Sequence, residues 1–444
     1  MMSGTSRRAE QAALHGARFG RRARAVGALV GTLAAVSVGF APSATAYDAQ
    51  SKQWYLGPMQ AEQMWKVSTG KGVKVAVIDS GVNANTPSLK GQVLADEVPD
   101  SVAYRATDDY NGHGTTMAEL IAGTGAGGGL KGLAPGAKIV PYRIGFADLK
   151  GGAEEKRKTP DATKAIRAAA DTEAKIISMS FGAEGPSSKE EAAVDYAASK
   201  GKLMIAAVGN EGQTGGRIGY PAASPYVVGV TASDESGTVS KFASSGGYVD
   251  FAAPGQGFPG WCDENFSSYC DDMNGTSSAA AIASASAALI WSAHPNWTVN
   301  QVVRSLVDTA GITGPKGEAS KYVGYGALRP RVVLEDPKYN PGPANVDPLA
   351  KENGGDLLAK SGTSSSGSGS GSGSSSSSSS SPSASASTAS QAPEKGSTGG
   401  TSAAGSNTEP SDDSNTLWIA LGAAGAVIVI GGAGAAVLRA RRAR

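Results

Sequence analysis

The sequence predicts an α/β fold, a doubly wound, mostly parallel sheet with helices on both faces, plus one C-terminal transmembrane helix. Three observations carry this. Short apolar, β-branched runs recur from Val73 onward, and segments with helical patterning alternate with them over about 270 residues. Far downstream, Trp418 to Leu438 form an uncharged, mostly apolar run of about 20 residues, enough to span a bilayer as a helix. Near-continuous apolar strands imply a sheet covered on both sides, and the length is ample for a full core.

The elements follow in order. Gln60–Trp65 reads as a short helix and Val73–Asp79 as a strand ending in an acid. In Asn111–Ala122, His113 stands between glycines, and Met117, Leu120 and Ile121 continue as a helical pattern. Lys138–Ile144, Lys175–Ser180, Leu203–Val208 and Tyr226–Val230 read as strands. Asp161–Ala170 and Lys189–Ser199 read as helices between them. Asn274–Ala281 is a Gly turn that presents Ser277 ahead of an Ala-rich helical run. In open parallel sheets, functional groups gather at the carboxyl ends of strands, where Asp79 stands.

The ends assign an address. A basic region from Arg7 to Arg24, an apolar run from Val26 to Phe40 and the small-residue pattern Ala44-Thr45-Ala46 read as a signal peptide over 1–46. Arg21-Arg22 raises the twin-arginine route, but the residues after it favour general secretion. The expected order is then an N-terminal extension over 47–72, a folded domain over 73–335, a Pro then Ser/Gly-rich disordered linker over 336–416, a transmembrane helix over 417–438 and a basic tail over 439–444. The Ser/Gly-rich part cannot bury a core. As a flexible coil of about 65 residues its ends lie roughly 45 Å apart on average. The tail arginines belong on the cytoplasmic side, so the expectation is a single-pass cell-membrane protein with its folded domain outside. No Leu-Pro-x-Thr-Gly motif precedes the span, and Gly431 and Ala435 offer a small-residue packing spacing within it. A net charge of +1 gives no sign of nucleic-acid binding. Cys262 and Cys270 read as one local disulfide in an exported protein, with two free thiols as the alternative.

Four side chains carry chemistry. His113 is one of two histidines in the mature chain and suits proton transfer near neutral pH. Ser277 sits where unpaired helix N–H groups favour developing negative charge. Asn210 follows a strand and can aim its amide at an oxyanion, and Asp79 completes the set. Each has an ordinary alternative: a cap for Asp79, a core residue for His113, a turn amide for Asn210, and a small-residue turn for Ser277. Together they are the parts of acyl-transfer catalysis, in the order Asp79, His113, Ser277.

Val75-Ala76-Val77-Ile78-Asp79-Ser80-Gly81-Val82, Gly112-His113-Gly114-Thr115 and Gly275-Thr276-Ser277-Ser278-Ala279 resemble the three signatures of the subtilisin-like serine peptidases. Ala207-Val208-Gly209-Asn210-Glu211-Gly212 resembles their oxyanion segment. Gly219-Tyr220-Pro221-Ala222, His294-Pro295-Asn296-Trp297-Thr298 and Gly324-Tyr325-Gly326-Ala327-Leu328 extend the match, which runs from about Gly57 to Val333. The resemblance implies a serine endopeptidase with a catalytic triad of Asp79, His113 and Ser277 and with Asn210 in the oxyanion hole. It implies that Ser180, Phe181 and Gly182 pair with substrate backbone, facing Gly209. It places Gly219 in the pocket for the residue before the cut, where a missing side chain implies a deep pocket for a bulky or long residue.

Within that family the chain is most similar to the mycosins, membrane-anchored proteases of type VII secretion. That similarity implies a secretion-complex partner at the membrane, with a scaffold of dispensable proteolysis, or a surface subtilase unrelated to secretion, as alternatives. Residues 47–78 leave no room for a long folded inhibitory pro-domain. No cofactor is implied. No Asp-rich calcium loop of the EF-hand kind occurs, though structural calcium on scattered oxygens stays open. Asp271-Asp272 beside the cysteines reads either as a reader of basic substrate residues or as a solvated loop.

Overall fold

The computed structural model describes residues 48–311, 317–350 and 417–418. Six strands form the main sheet: β1 (Lys74–Asp79), β2 (Lys138–Arg143), β3 (Ile176–Met179), β5 (Leu203–Ala207), β6 (Val227–Ser233) and β7 (Phe251–Pro254). Their spatial order is β2-β1-β3-β5-β6-β7, and every neighbouring pair is parallel. The short β4 (Gly182–Ala183) lies outside this sheet, and β8 (Gln256–Trp261) pairs antiparallel with β9 (Tyr269–Asn274) as a hairpin. The helices are α1 (Ala61–Trp65), α2 (His113–Ala122), α3 (Ala153–Lys158), α4 (Ala162–Ala170), α5 (Ser188–Ser199), α6 (Thr276–Ala293), α7 (Val299–Thr309) and α8 (Pro330–Glu335).

Strand alternation divides the interior into two cores. Val75 and Val77 of β1 enter one, Ala76 and Ile78 the other. The first core takes Met117, Leu120 and Ile121 of α2, most of α6, and apolar residues of α7 and α8. The second takes Ala165, Ile166 and Ala169 of α4 with Ala193, Val194 and Ala197 of α5. Helices on both faces of a parallel sheet are the doubly wound arrangement that the apolar strand runs predict. Helix α6 is long and apolar enough to cross a bilayer, yet 89% of it is buried in the first core. Its alanines let the backbone lie close to β3, β5, β6 and β7.

The structure moves two boundaries. The extension is part of the body: Ala49, Tyr55, Ala61 and Met64 are fully buried in the first core. Gln53 exchanges two hydrogen bonds with the backbone of Lys131, and the Trp54 indole donates to the carbonyl of Gln256 on the hairpin. The expected linker begins later than residue 336. Thr298, Gln301 and Arg304 of the α7 region donate to the carbonyls of Ala344, Gly342 and Val346, and Leu349 is buried. The proline-rich segment is thus docked by side-chain donors from one helix, which its composition does not reveal. Of the predicted membrane span, Leu417 and Trp418 are described and are extended rather than helical. They form β10, antiparallel to β4. The signal region over 1–46, the rest of the linker and span, and the basic tail lie outside the described residues.

Glu119 is fully buried on α2 and accepts from Thr86 Oγ1 and from the Tyr269 hydroxyl of β9, both at 2.7 Å. Burial pushes its carboxyl from 4.5 up to about 7 against these donors. The native chain therefore holds this proton more tightly than the unfolded one, and the group's contribution to stability falls as pH rises from 4.5 through about 7. Glu119→Gln should remove that loss, so variant melting temperature minus wild-type should become more positive from pH ~5 to pH ~8 in paired thermal melts. A difference that shrinks with pH would contradict it.

Candidate active site

The carboxyl ends of β1, β3 and β5 face one edge of the sheet and deliver Asp79, Ser180 and the Gly209-Asn210 turn to one place. Asp79 is fully buried, and its Oδ1 lies 2.7 Å from His113 Nδ1. The same oxygen accepts from the Ser80 N–H at 2.7 Å. The histidine side chain is 20% exposed, so one ring edge is buried against the acid and the other reaches the cleft. Burial opposes the imidazolium, but Asp79, helped by Asp109 and Asp148, outweighs it and holds His113 above the ordinary histidine value of 6.5.

The glycines beside the histidine have distinct reasons. Gly112 caps α2 with φ +85°, and a Cβ there would lie 2.9 Å from the Asp263 carbonyl of the hairpin loop. Gly114 is needed for approach: a Cβ would lie 2.1 Å from the Gly81 carbonyl and 2.9 Å from Asp79 Cβ. The start of α2 can therefore sit directly on the end of β1, which brings His113 to Asp79.

Ser277 occupies the first turn of α6 and is 2% exposed. Its Oγ donates to the Ser180 carbonyl at 3.5 Å and makes no hydrogen bond to His113. Contacts of this kind commonly tighten when substrate binds. Asn210 Oδ1 accepts from the N–H and hydroxyl of Thr276, each at 2.9 Å, which turns the amide NH2 away from Thr276 and toward Gly275. Gly275 corrects the sequence reading. Its φ of 171° is extended backbone that any residue adopts, so no sharp Gly-only turn exists. A Cβ there would fit at ordinary contact distance, 3.6 Å from Asn210 Nδ2 and 3.8 and 3.9 Å from the Ser277 N and Cβ, and would occupy the space between those groups.

Ser180, Phe181, Gly182, Gly209 and Gly219, all foreseen, line one cavity of about 350 Å³ beside the serine. Glu184, Glu211 and Arg217 line it too and were not foreseen; single charged residues in loops carry no pattern to find them by. Strand β4 bridges to Tyr220 on one side, and on the other it is paired by β10 of the same chain, so this edge accepts an extended strand. The hairpin is closed by a Cys262–Cys270 disulfide, and no cysteine is free. Asp271 is met by Lys52 of the extension at 2.6 Å, which removes it as an unclaimed reader of basic substrate. The second histidine, His294, stacks on Trp297 at 3.8 Å and takes no part.

Residues 70–326 match the model of the subtilase family (Peptidase_S8). This chain belongs to the subtilase family. Its folded domain is a subtilisin-like serine protease. It is 32% identical over 271 residues to Subtilisin BL of Lederbergia lenta, covering 60% of this chain and 94% of that one. It is also 32% identical over 291 residues to the minor extracellular protease Epr of Bacillus subtilis, where the match covers 65% of this chain and 42% of the relative. Among solved structures, the MycP3 protease from the type VII (ESX-3) secretion system aligns with a TM-score of 0.52 and 28% identity, over 66% of this chain and 90% of that one.

The pocket's backbone-only wall at Gly219 is testable. A Cβ there would press on Ala183 O and N at 3.1 and 3.3 Å, so a side chain both narrows the cavity and pushes on the strand edge. Profiling a peptide library should show cleavage after bulky or long residues, and Gly219→Val should cut kcat/KM for those peptides by about tenfold or more. Preference for Gly or Ala alone before the cut would count against this pocket reading.

Proposed function

We propose that the protein is a membrane-tethered serine endopeptidase whose triad is Asp79, His113 and Ser277, working in association with a type VII secretion complex. The observation that carries the chemistry is the buried Asp79 Oδ1 at 2.7 Å from His113 Nδ1. That contact fixes the imidazole tautomer, leaving Nε2 free to accept a proton from Ser277. Ser277 Oγ attacks the peptide carbonyl, His113 takes its proton and returns it to the leaving amine, and water later resolves the acyl-enzyme by the same route. The Asn210 amide and the Ser277 N–H receive the oxyanion. The substrate strand pairs along Ser180–Gly182, with the side chain before the cut in the cavity that includes Gly209 and Gly219.

The association with secretion is supported by the likeness to the MycP3 protease from a type VII secretion system. The signal-like N-terminus, the apolar run over 418–438 and the arginines behind it support tethering with the domain outside the cell.

Four outcomes follow. A fluorophosphonate probe should label the wild type and leave Ser277→Ala blank. Asn210→Ala should lower kcat by about 100- to 1000-fold, the scale known from subtilisin. Because His113 must be neutral to accept the proton, activity should be lost on the acid side, with a midpoint above pH 6.5. In cells, a Ser277→Ala strain should share the secretion defect of a full deletion. A defect seen on deletion alone would instead make the protein a scaffold.

A further inference from the structure

A second buried carboxylate lies behind the triad. Asp109 is 3% exposed, on the loop that leads into α2. Its Oδ1 accepts from Ser80 Oγ at 2.8 Å, the Asn111 N–H at 3.1 Å and the Gly112 N–H at 2.9 Å. Its Oδ2 accepts from the N–H and hydroxyl of Thr115 at 2.8 and 2.6 Å. Ser80 follows Asp79 directly, and its hydroxyl lies 3.1 Å from Asp79 Oδ1 while accepting from the Gly114 N–H at 2.9 Å. That one hydroxyl proton is shared by two carboxylates, with the shorter leg to Asp109.

The five donors come from two places only, the residue after β1 and the turn and first coil that carry His113. These are the two backbones whose spacing sets the Asp79–His113 contact. An ordinary helix cap would bind the helix alone. Burial raises the Asp109 carboxyl, opposed by Thr115 and Asn111. Among the described residues it has no basic partner, so its charge is felt by the neighbouring imidazole.

We propose that Asp109 is a positioning residue for the triad: through Ser80 and Thr115 it holds the end of β1 and the start of α2 in register, and it supplies a second fixed negative charge behind His113. The other charged groups facing this site are Asp79 from β1 and Asp148 from the loop after β2, held by the Asn111 amide at 2.8 Å. Arg143 lies over the Tyr110 ring at 5.1 Å and is paired with Glu155. The hairpin presents the Asp263 backbone carbonyl to Gly112, while the Asp263 carboxylate accepts from Asn265. The proposal rests on the triad chemistry and is independent of any secretion role.

The test uses the full-length protein, with folding of each variant checked by thermal melting. The rate of Ser277 labelling by a fluorophosphonate is followed against pH, beside kcat and KM on a peptide taken from the library. Asp109→Asn should slow labelling and lower kcat by about 10- to 100-fold with KM little changed, as expected for a small misplacement of reacting groups. It should also shift the acid-side midpoint to lower pH, because with one anion fewer the imidazolium is less favoured. Ser80→Ala should slow labelling while leaving that midpoint in place, and Ser80→Thr, which keeps the hydroxyl, should restore the rate. A folded Asp109→Asn with an unmoved midpoint or wild-type rate would overturn the proposal. Where Asp109→Asn does not fold, Ser80→Ala decides: a wild-type rate overturns the proposal, and a slowed rate rescued by Thr upholds it. A wild type that takes no label would instead sink the triad assignment itself.

Discussion

The architecture around the site depends on one contact, the 2.7 Å approach of His113 Nδ1 to a fully buried Asp79 oxygen. A buried carboxylate needs donors, and here the Ser80 N–H, the Ser80 hydroxyl and the imidazole all serve Oδ1, while Oδ2 has no protein donor among the described residues. Making that contact requires a strand end and a helix start to lie closer than side chains permit. The sequence meets the requirement by deletion: the missing Cβ of Gly114 makes room for the Gly81 carbonyl, and that of Gly81 for the Asp108 carbonyl. Around them Ser80, Asp109 and Thr115 form a polar knot that fixes the spacing.

The same economy shapes the nucleophile's side. Thr276 is the hub there: it fixes the Asn210 carbonyl oxygen with two donors and accepts from the Gly209 N–H. The amide nitrogen of Asn210 is oriented by what happens at the other end of the same group. Gly275 keeps the space beside it open. Two glycines of one type of motif thus do different jobs, with Gly112 supplying a left-handed φ and Gly275 supplying room.

Much of this was legible in the sequence. Strands with apolar residues on both faces leave an unmistakable run, so β1, β2, β3, β5 and β6 were found to within a residue or two at most boundaries. Periodicity puts Asp79, His113, Asn210 and Ser277 at strand ends and helix starts, and their candidate roles come from the resemblance of the segments around them to the subtilase signatures. Other features were not legible, for physical reasons. The docking of 336–350 depends on side-chain donors of α7 meeting distant carbonyls, and no local pattern records that. Asp109 sits in a polar loop where an aspartate is unremarkable until its five donors are seen. The sequence reading of Gly275 as a sharp turn fails because its φ of 171° is extended, and the open space beside Asn210 leaves no mark in the sequence.

The way the extension is sewn into the body bears on how such an enzyme can be controlled. Lys52, Gln53 and Trp54 clasp the hairpin and the Lys131 loop, and that hairpin in turn seats Gly112 beside the histidine. In a zymogen, trimming the front of the chain unveils a finished machine. Here residues 52–54 are a rivet, and a cut after them would loosen the wall on which the histidine stands. Trimming past residue 54 would therefore weaken the site rather than uncover it.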